Sequence, residues 1–304
     1  MIDYDAHKWL RSLCQLRGSA TPKIIWRVLF MAGWASLVVG LDLLLQSRVG
    51  SLEVPPTVHA LAGVALGLLL VFRTNASYER FWEGRKLWGG IVNETRNLAR
   101  AASVFLAQEP ALRAAAIRWT AAFAYSSMHA LRDEKSLGPL AQQLPAGEVD
   151  ETLAAQHVPL AVSRRITGLL AEARRRQHLS DYLLVTIDAN VQQLIDYLGG
   201  CERIKKTPLP FAYVIHLRRA LILYLFTLPF ALVEQFGWAT VAFTLIISYI
   251  LFGIEEIGVE IENPFGTDAN DLPLEDICAT IEKNLLAVIE NPPLEETHTE
   301  AAHA

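Results

Sequence analysis

Charge is what this chain has least of. Asp, Glu, Lys and Arg make up 19% of its 304 residues, against about 25% in an ordinary globular protein. The shortfall is concentrated in four apolar stretches, which argues against a single soluble domain. Cysteine is also scarce. Cys14, Cys201 and Cys278 are far apart and odd in number, which excludes a disulfide framework and a CxxC site; free thiols in a reducing compartment are the simplest reading. The net charge is -5, and neither finger spacing nor basic–aromatic alternation is present, so a nucleic-acid partner is excluded. Arg174-Arg175-Arg176 reads as a solvated helix face. The histidines have no HExxH spacing, and no GxSxG elbow, Walker loop or dinucleotide fingerprint occurs, so nothing points to an enzyme. The two apolar hairpins do not repeat each other, which speaks against a secondary transporter. A cleavable leader is not expected, because the first apolar run starts near Ile24 without a small-residue cleavage site.

The stretch Thr57–Ala107 is the most informative feature present. It opens as the uncharged run TVHALAGVALGLLLVF and continues without a break signal into RTNASYERFWEGRKLWGG, which is charged and amphipathic. One long helix leaving a membrane and entering a soluble region is predicted, ending near Gln108-Glu109-Pro110. The other apolar segments are approximately Ile24–Leu45, Ala220–Val233 inside a helix starting near Tyr213, and Gly237–Ile254. A lone transmembrane helix needs roughly 20 apolar residues. Two of the segments are shorter, yet four such runs with flanking cations favour membrane insertion. Arg27 can snorkel, and Asp42 can reach water at the far end.

Lysine and arginine placement orients the chain. Lys8, Arg11, Arg17, Lys23 and Arg27 precede the first segment; Arg73, Arg80, Arg85 and Lys86 follow the second; Arg203, Lys205, Lys206, Arg218 and Arg219 precede the third. The intervening loops hold Arg48 alone. Both termini and the central region are therefore expected in the cytoplasm. The resulting division is residues 1–73 (N-terminal segment and first hairpin), 74–212 (cytosolic helical region), 213–258 (second hairpin) and 259–304 (cytosolic helix and tail). Within the soluble part, helices are predicted over Ala111–Leu131, Leu160–Gln177 and Asp181–Leu198. Ser180 serves as an N-cap and Gly199-Gly200 as a stop. Asn263-Pro264-Phe265-Gly266 ends the fourth segment, and Asp271-Leu272-Pro273-Leu274 restarts a final helix.

In the second segment, Gly63 and Gly67 share a face at a spacing that permits close helix contact. Val64, Leu68 and Phe72, also four apart, form a neighbouring stripe. Around a symmetry axis they would stack as apolar rings that restrict ions by narrowness and dewetting; lipid contact or intrachain packing is the structural alternative. Arg73 at the end of this stripe is open to two readings: an anion-attracting group, or an anchor paired with Glu79 or Glu83. His59 could touch the outer mouth. Glu255, Glu256, Glu260 and Glu262 could face permeating cations, or pair in part with Arg218 or Arg219 and otherwise face solvent.

LLLVFRTNASYERFWEGRKLWG, GGCERIKKTPLPFAY and ENPFGTDANDLPL, in this order among four apolar segments, resemble the bestrophin channel family, especially its bacterial branch. The resemblance runs from KWLRSL through IEKNLL. It implies an all-α integral membrane protein, with four transmembrane helices per subunit and a helical cytosolic domain, assembled as a homopentamer around one ion path in a bacterial inner membrane. Carried over by motif, the family's apolar neck falls on Val64, Leu68 and Phe72, and its second, cytosolic constriction on Tyr182, next to Asp181. The animal members' calcium clasp matches Thr267–Asp271, where only Asp268 and Asp271 keep acidic character. Calcium takes 6–8 oxygen ligands, so calcium activation is not expected, nor is any cofactor. Partners are expected to be further copies of the chain, monovalent ions and membrane lipids. The expected function is passive ion flux through the neck. The acidic net charge and the lack of a basic ring at the neck favour cations; an anion channel of the same architecture and a nonconducting scaffold are the alternatives.

Overall fold

A computed structural model describes residues 15–16, 18–45 and 55–291. The expectations on Lys8, Arg11, Cys14, Arg17 and Arg48 lie outside the described residues. Among the described residues nine α-helices follow one another: α1 (Thr21–Leu45), α2 (Pro56–Phe105), α3 (Pro110–Leu131), α4 (Ala146–Ala154), α5 (Val158–Arg175), α6 (Asp181–Lys206), α7 (Phe211–Phe236), α8 (Ala239–Glu260) and α9 (Leu274–Glu290), with a 3-10 turn at Gly138–Gln143. No strand occurs among the described residues. Four of the helices, α1, α2, α7 and α8, are long and apolar enough to cross a membrane. The helix α2 runs unbroken for 50 residues, as its uninterrupted sequence predicts.

The chain divides into two compact units. The described residues up to Glu83 together with Thr207–Asp271 form the first; Gly84–Lys206 together with residues 272–291 form the second.

In the first unit, α1 packs on α7 and α8, and α7 packs on α8. The core combines Ile24, Val28 and Met31 of α1 with Leu66 and Leu70 of α2, Leu217, Leu221, Leu225 and Leu228 of α7, and Phe252 of α8. Between helices in lipid, tight side-chain packing and buried polar contacts hold the assembly, because the tails around it are equally apolar. Trp34 shows both: its ring stacks on Phe226 at 4.0 Å, and its indole N–H donates to the Phe226 carbonyl at 2.9 Å. Gly63 lets Tyr224 approach so closely that an added Cβ would lie 2.8 Å from the phenol oxygen, whereas Gly67 meets nothing within 4 Å. The two glycines therefore do different things.

The second unit is built on α3, which is buried along most of its length, including Trp119, Phe123 and Tyr125. The helices α5, α6 and α9 cover it. His157 joins two of the helices through one tautomer: Nδ1 accepts from the Leu160 N–H at 3.1 Å, capping α5, and Nε2 donates to Glu202 of α6 at 2.8 Å. The Ser180 hydroxyl accepts from the Leu183 N–H at 3.3 Å, the cap expected for α6. That helix does not stop at Gly199-Gly200. A Cβ on Gly200 would sit 2.8 Å from the Leu87 side chain, so the glycine exists for close packing. The contact offsets the ~1 kcal/mol that glycine costs a helix interior.

Gly90 is tighter still, with the Tyr197 ring 2.5 Å from where a Cβ would stand. Gly90→Ala is expected to lower stability by about 1–3 kcal/mol through overpacking, read as a drop in melting temperature; an unchanged melting temperature would show that Tyr197 swings away freely. Cys278 of α9 is fully buried, and burial pushes its thiol up to about 12. Since the thiolate is the nucleophile, Cys278 is expected to stay unlabelled by iodoacetamide at pH 8 in the folded protein and to label after denaturation, as followed by peptide mass spectrometry.

Candidate ion-conduction site

The first 18 residues of α2 divide into two faces. His59, Leu66, Leu70 and Arg73 are buried against the chain's own helices. On the opposite side Val64, Leu68 and Phe72 are 65%, 55% and 63% exposed. A helix turns about 100° per residue, so these residues, four apart, form one strip that the other described residues leave uncovered. Leu61 and Val71 extend the exposed apolar surface. Tyr213 ties α7 to this helix at the same level, its phenol donating to the Leu69 carbonyl at 2.9 Å.

Arg73 follows Phe72 in the chain yet turns inward. It is 1% exposed, and its Nη1 donates to Glu255 of α8 at 2.7 Å. This corrects the expected pairing with Glu79 or Glu83. Arg218 Nε of α7 donates to the same Glu255 oxygen at 2.9 Å. Arg27 of α1 lies 3.7 Å from the other oxygen of Glu255 and 3.1 Å from Glu256. Four helices thus meet on one carboxylate that is itself 3% exposed. Taking a charge this far from water is costly unless it is paired and hydrogen-bonded, and Glu255 is both. Arg73 keeps Nε and Nη2 buried with no hydrogen-bond partner.

The acidic cluster therefore does not face solvent. Glu256 and Glu260 are buried; Glu260 lies 3.6 Å from Lys23. Glu262 accepts the Leu209 N–H at 3.1 Å. His59 is likewise not exposed: it stacks on Tyr224 at 4.1 Å. Asp42, expected to reach water, is buried within the described residues, with Oδ1 unpartnered.

Tyr182 stands at the start of α6 with its side chain 81% exposed. The neighbouring Asp181 carboxylate accepts from Arg174 Nε of α5, and this hydrogen bond holds it below the usual carboxylate range. At the Asn-Pro-Phe-Gly turn, the Asp271 carboxylate accepts the Asp268 N–H at 2.7 Å. Asn270 Nδ2 donates to the Gly18 carbonyl at 2.9 Å and to Glu260 at 3.1 Å. The oxygens of Asp271, Gly18 and Glu260 at this turn thus each accept an N–H. Among the described residues no group of three or more His, Cys, Asp or Glu side chains is placed to hold a metal.

Comparison with known proteins identifies this architecture. The family model described as Bacterial/Fungal Bestrophin protein matches residues 1–287. A voltage-dependent anion channel-forming protein of Nostoc sp. is 41% identical over 281 residues, covering 91% of this chain and 90% of that protein. One of the same description from Escherichia coli K12 is 34% identical, covering 94% and 93%. A bacterial bestrophin homolog from Klebsiella pneumoniae superposes with a TM-score of 0.83 at 33% identity, covering 89% of this chain and 100% of that one. These relatives and the four apolar helices make the chain a multi-pass protein of the bacterial inner membrane, a channel protein rather than an enzyme.

They also overturn the cation preference expected from the sequence. The relatives are named as anion channel-forming proteins. Net charge is a poor guide here because position matters: Glu255, Glu256 and Glu260, the carboxylates next to the fourth apolar segment, are buried and lie against Arg73, Arg218, Arg27 or Lys23, so they are not presented to a passing ion.

Proposed function

The chain belongs to the bacterial and fungal bestrophin family, and on that footing we propose that it is a passive, anion-selective channel of the inner membrane. Copies of the chain assemble as a homopentamer around a central path. Both termini and the unit carrying α3–α6 and α9 lie in the cytoplasm, in accord with the cations that flank the apolar segments. The neck is Val64, Leu68 and Phe72 from each subunit, and Tyr182 forms a second aperture on the cytoplasmic side. Ions move down their electrochemical gradient with no chemical step. No cofactor takes part, and opening does not depend on calcium, consistent with the N–H groups that occupy the Asp268–Asp271 turn.

The observation that carries this reading is the divided face of α2. Three apolar side chains stand uncovered on a membrane helix, while the polar and charged groups beside them are turned inward. Stacked apolar rings restrict flux through width and wetting. The test is the reversal potential of the purified protein in a planar bilayer under a potassium chloride gradient, together with the mass of the detergent-solubilised particle. A shift toward the chloride potential from a pentameric particle is expected. A shift toward potassium, or a particle of another order, would sink the proposal.

A further inference from the structure

Val64 and Leu68 carry no charge with which to tell an anion from a cation, and the chain as a whole is acidic. We propose that Arg73, with Arg218 and Arg27 arranged behind it on Glu255 and Glu256, determines the ion sign at the neck. This rests on the anion-channel reading and names the residues responsible for it.

Three guanidiniums meet two carboxylates in this cluster, which leaves one positive charge in excess in each chain. Arg73 is the member whose charge is least absorbed, since Nε and Nη2 are buried without partners. It is also the one bonded through the backbone to Phe72. Side-chain reach places its guanidinium within about 10 Å of Phe72, comparable to the Debye length at 0.1 M salt. The intervening matter is protein, so screening is weaker than in solution. Repeated around an axis, the excess becomes a positive ring behind the apolar wall, and a narrow low-dielectric passage focuses such a field. An opposing group on the same helix as Glu255 is Glu260, with Lys23 and Asp268. Glu260 is about 7.5 Å further along α8, and the Asp268 side chain is 63% exposed, where solvent damps it.

The experiment compares chloride-to-potassium permeability ratios, from reversal potentials in planar bilayers, of the wild type and of R73Q, R73K, R218Q and E256Q. Removing a positive charge in R73Q is expected to lower the ratio by at least about threefold, and R73K, which keeps the charge, is expected to restore most of it. R218Q is expected to lower the ratio and E256Q to raise it. These two act on arginines that are about half exposed, so they carry the test if R73Q does not fold. Opposite shifts support the assignment; a role confined to holding the helices together would alter channel yield and leave the ratio in place. Ratios unchanged in folded R218Q and E256Q channels would overturn the assignment while leaving a chloride-selective wild type intact. A wild type that does not favour chloride would overturn the anion-channel reading itself.

Discussion

Replacing Val64, Leu68 and Phe72 together by alanine is expected to raise single-channel conductance several-fold, roughly three- to tenfold. The three side chains form the four-apart apolar strip on the uncovered face of α2, and truncating them widens the proposed passage and makes it easier to wet. The substitution costs little in stability, because side chains that touch few neighbours contribute within about ±0.5 kcal/mol each. Leu70 supplies the control. It lies between Leu68 and Phe72 in the chain, but it is buried in the α1–α2–α7–α8 core. Leu70→Ala is expected to cost about 2–5 kcal/mol and to leave conductance unchanged. Single-channel recordings and thermal melts of both variants separate the two faces. A triple variant with wild-type conductance would mean that the restriction lies elsewhere, with Tyr182 the next position to test.

The second large effect is on stability. Glu255→Ala should leave Arg73 buried with no counter-charge, and Arg218 without its hydrogen bond. Breaking a buried ion pair from one side costs about 3–5 kcal/mol. For a chain of this size that corresponds to a fall in melting temperature of about 10 °C. Glu256→Ala is the comparison. Its partner Arg27 is half exposed, so it should cost no more than about 1 kcal/mol. Equal melting temperatures for the two variants would show that water reaches Arg73 and that the cluster is not the joint it is taken to be.

The contrast between Glu255 and its neighbours shows what a linear sequence conceals. The four membrane helices were legible because hydropathy is a local sum, and the continuity of α2 was legible because nothing in the residues after Phe72 breaks a helix. The stripe Val64, Leu68, Phe72 could be found by spacing alone. By contrast, Arg27, Arg73, Arg218 and Glu255 come from four helices distant in sequence, and no local pattern announces that they converge. The ion sign was misread for the same reason: net charge adds up carboxylates wherever they lie, while a permeating ion responds to those near its path. Gly199-Gly200 misled through a different physical cause. Glycine ends helices when nothing compensates its backbone freedom, and here Leu87 packed on Gly200 does compensate it.

The unbroken run of α2 has an electrical consequence. Peptide dipoles add along a helix, leaving about half a negative charge on the unpaired carbonyls of its last turn. Had α2 ended at the membrane surface, just after Phe72, each subunit would place that negative pole at the exit of the proposed neck, where it would oppose a departing anion. Instead the helix continues to Phe105. The carbonyls of Leu68 to Phe72 remain within its hydrogen-bonded body, and the negative pole is displaced by some 33 residues of helix, about 50 Å along the axis. An anion leaving the proposed neck does not meet the negative pole of α2 there.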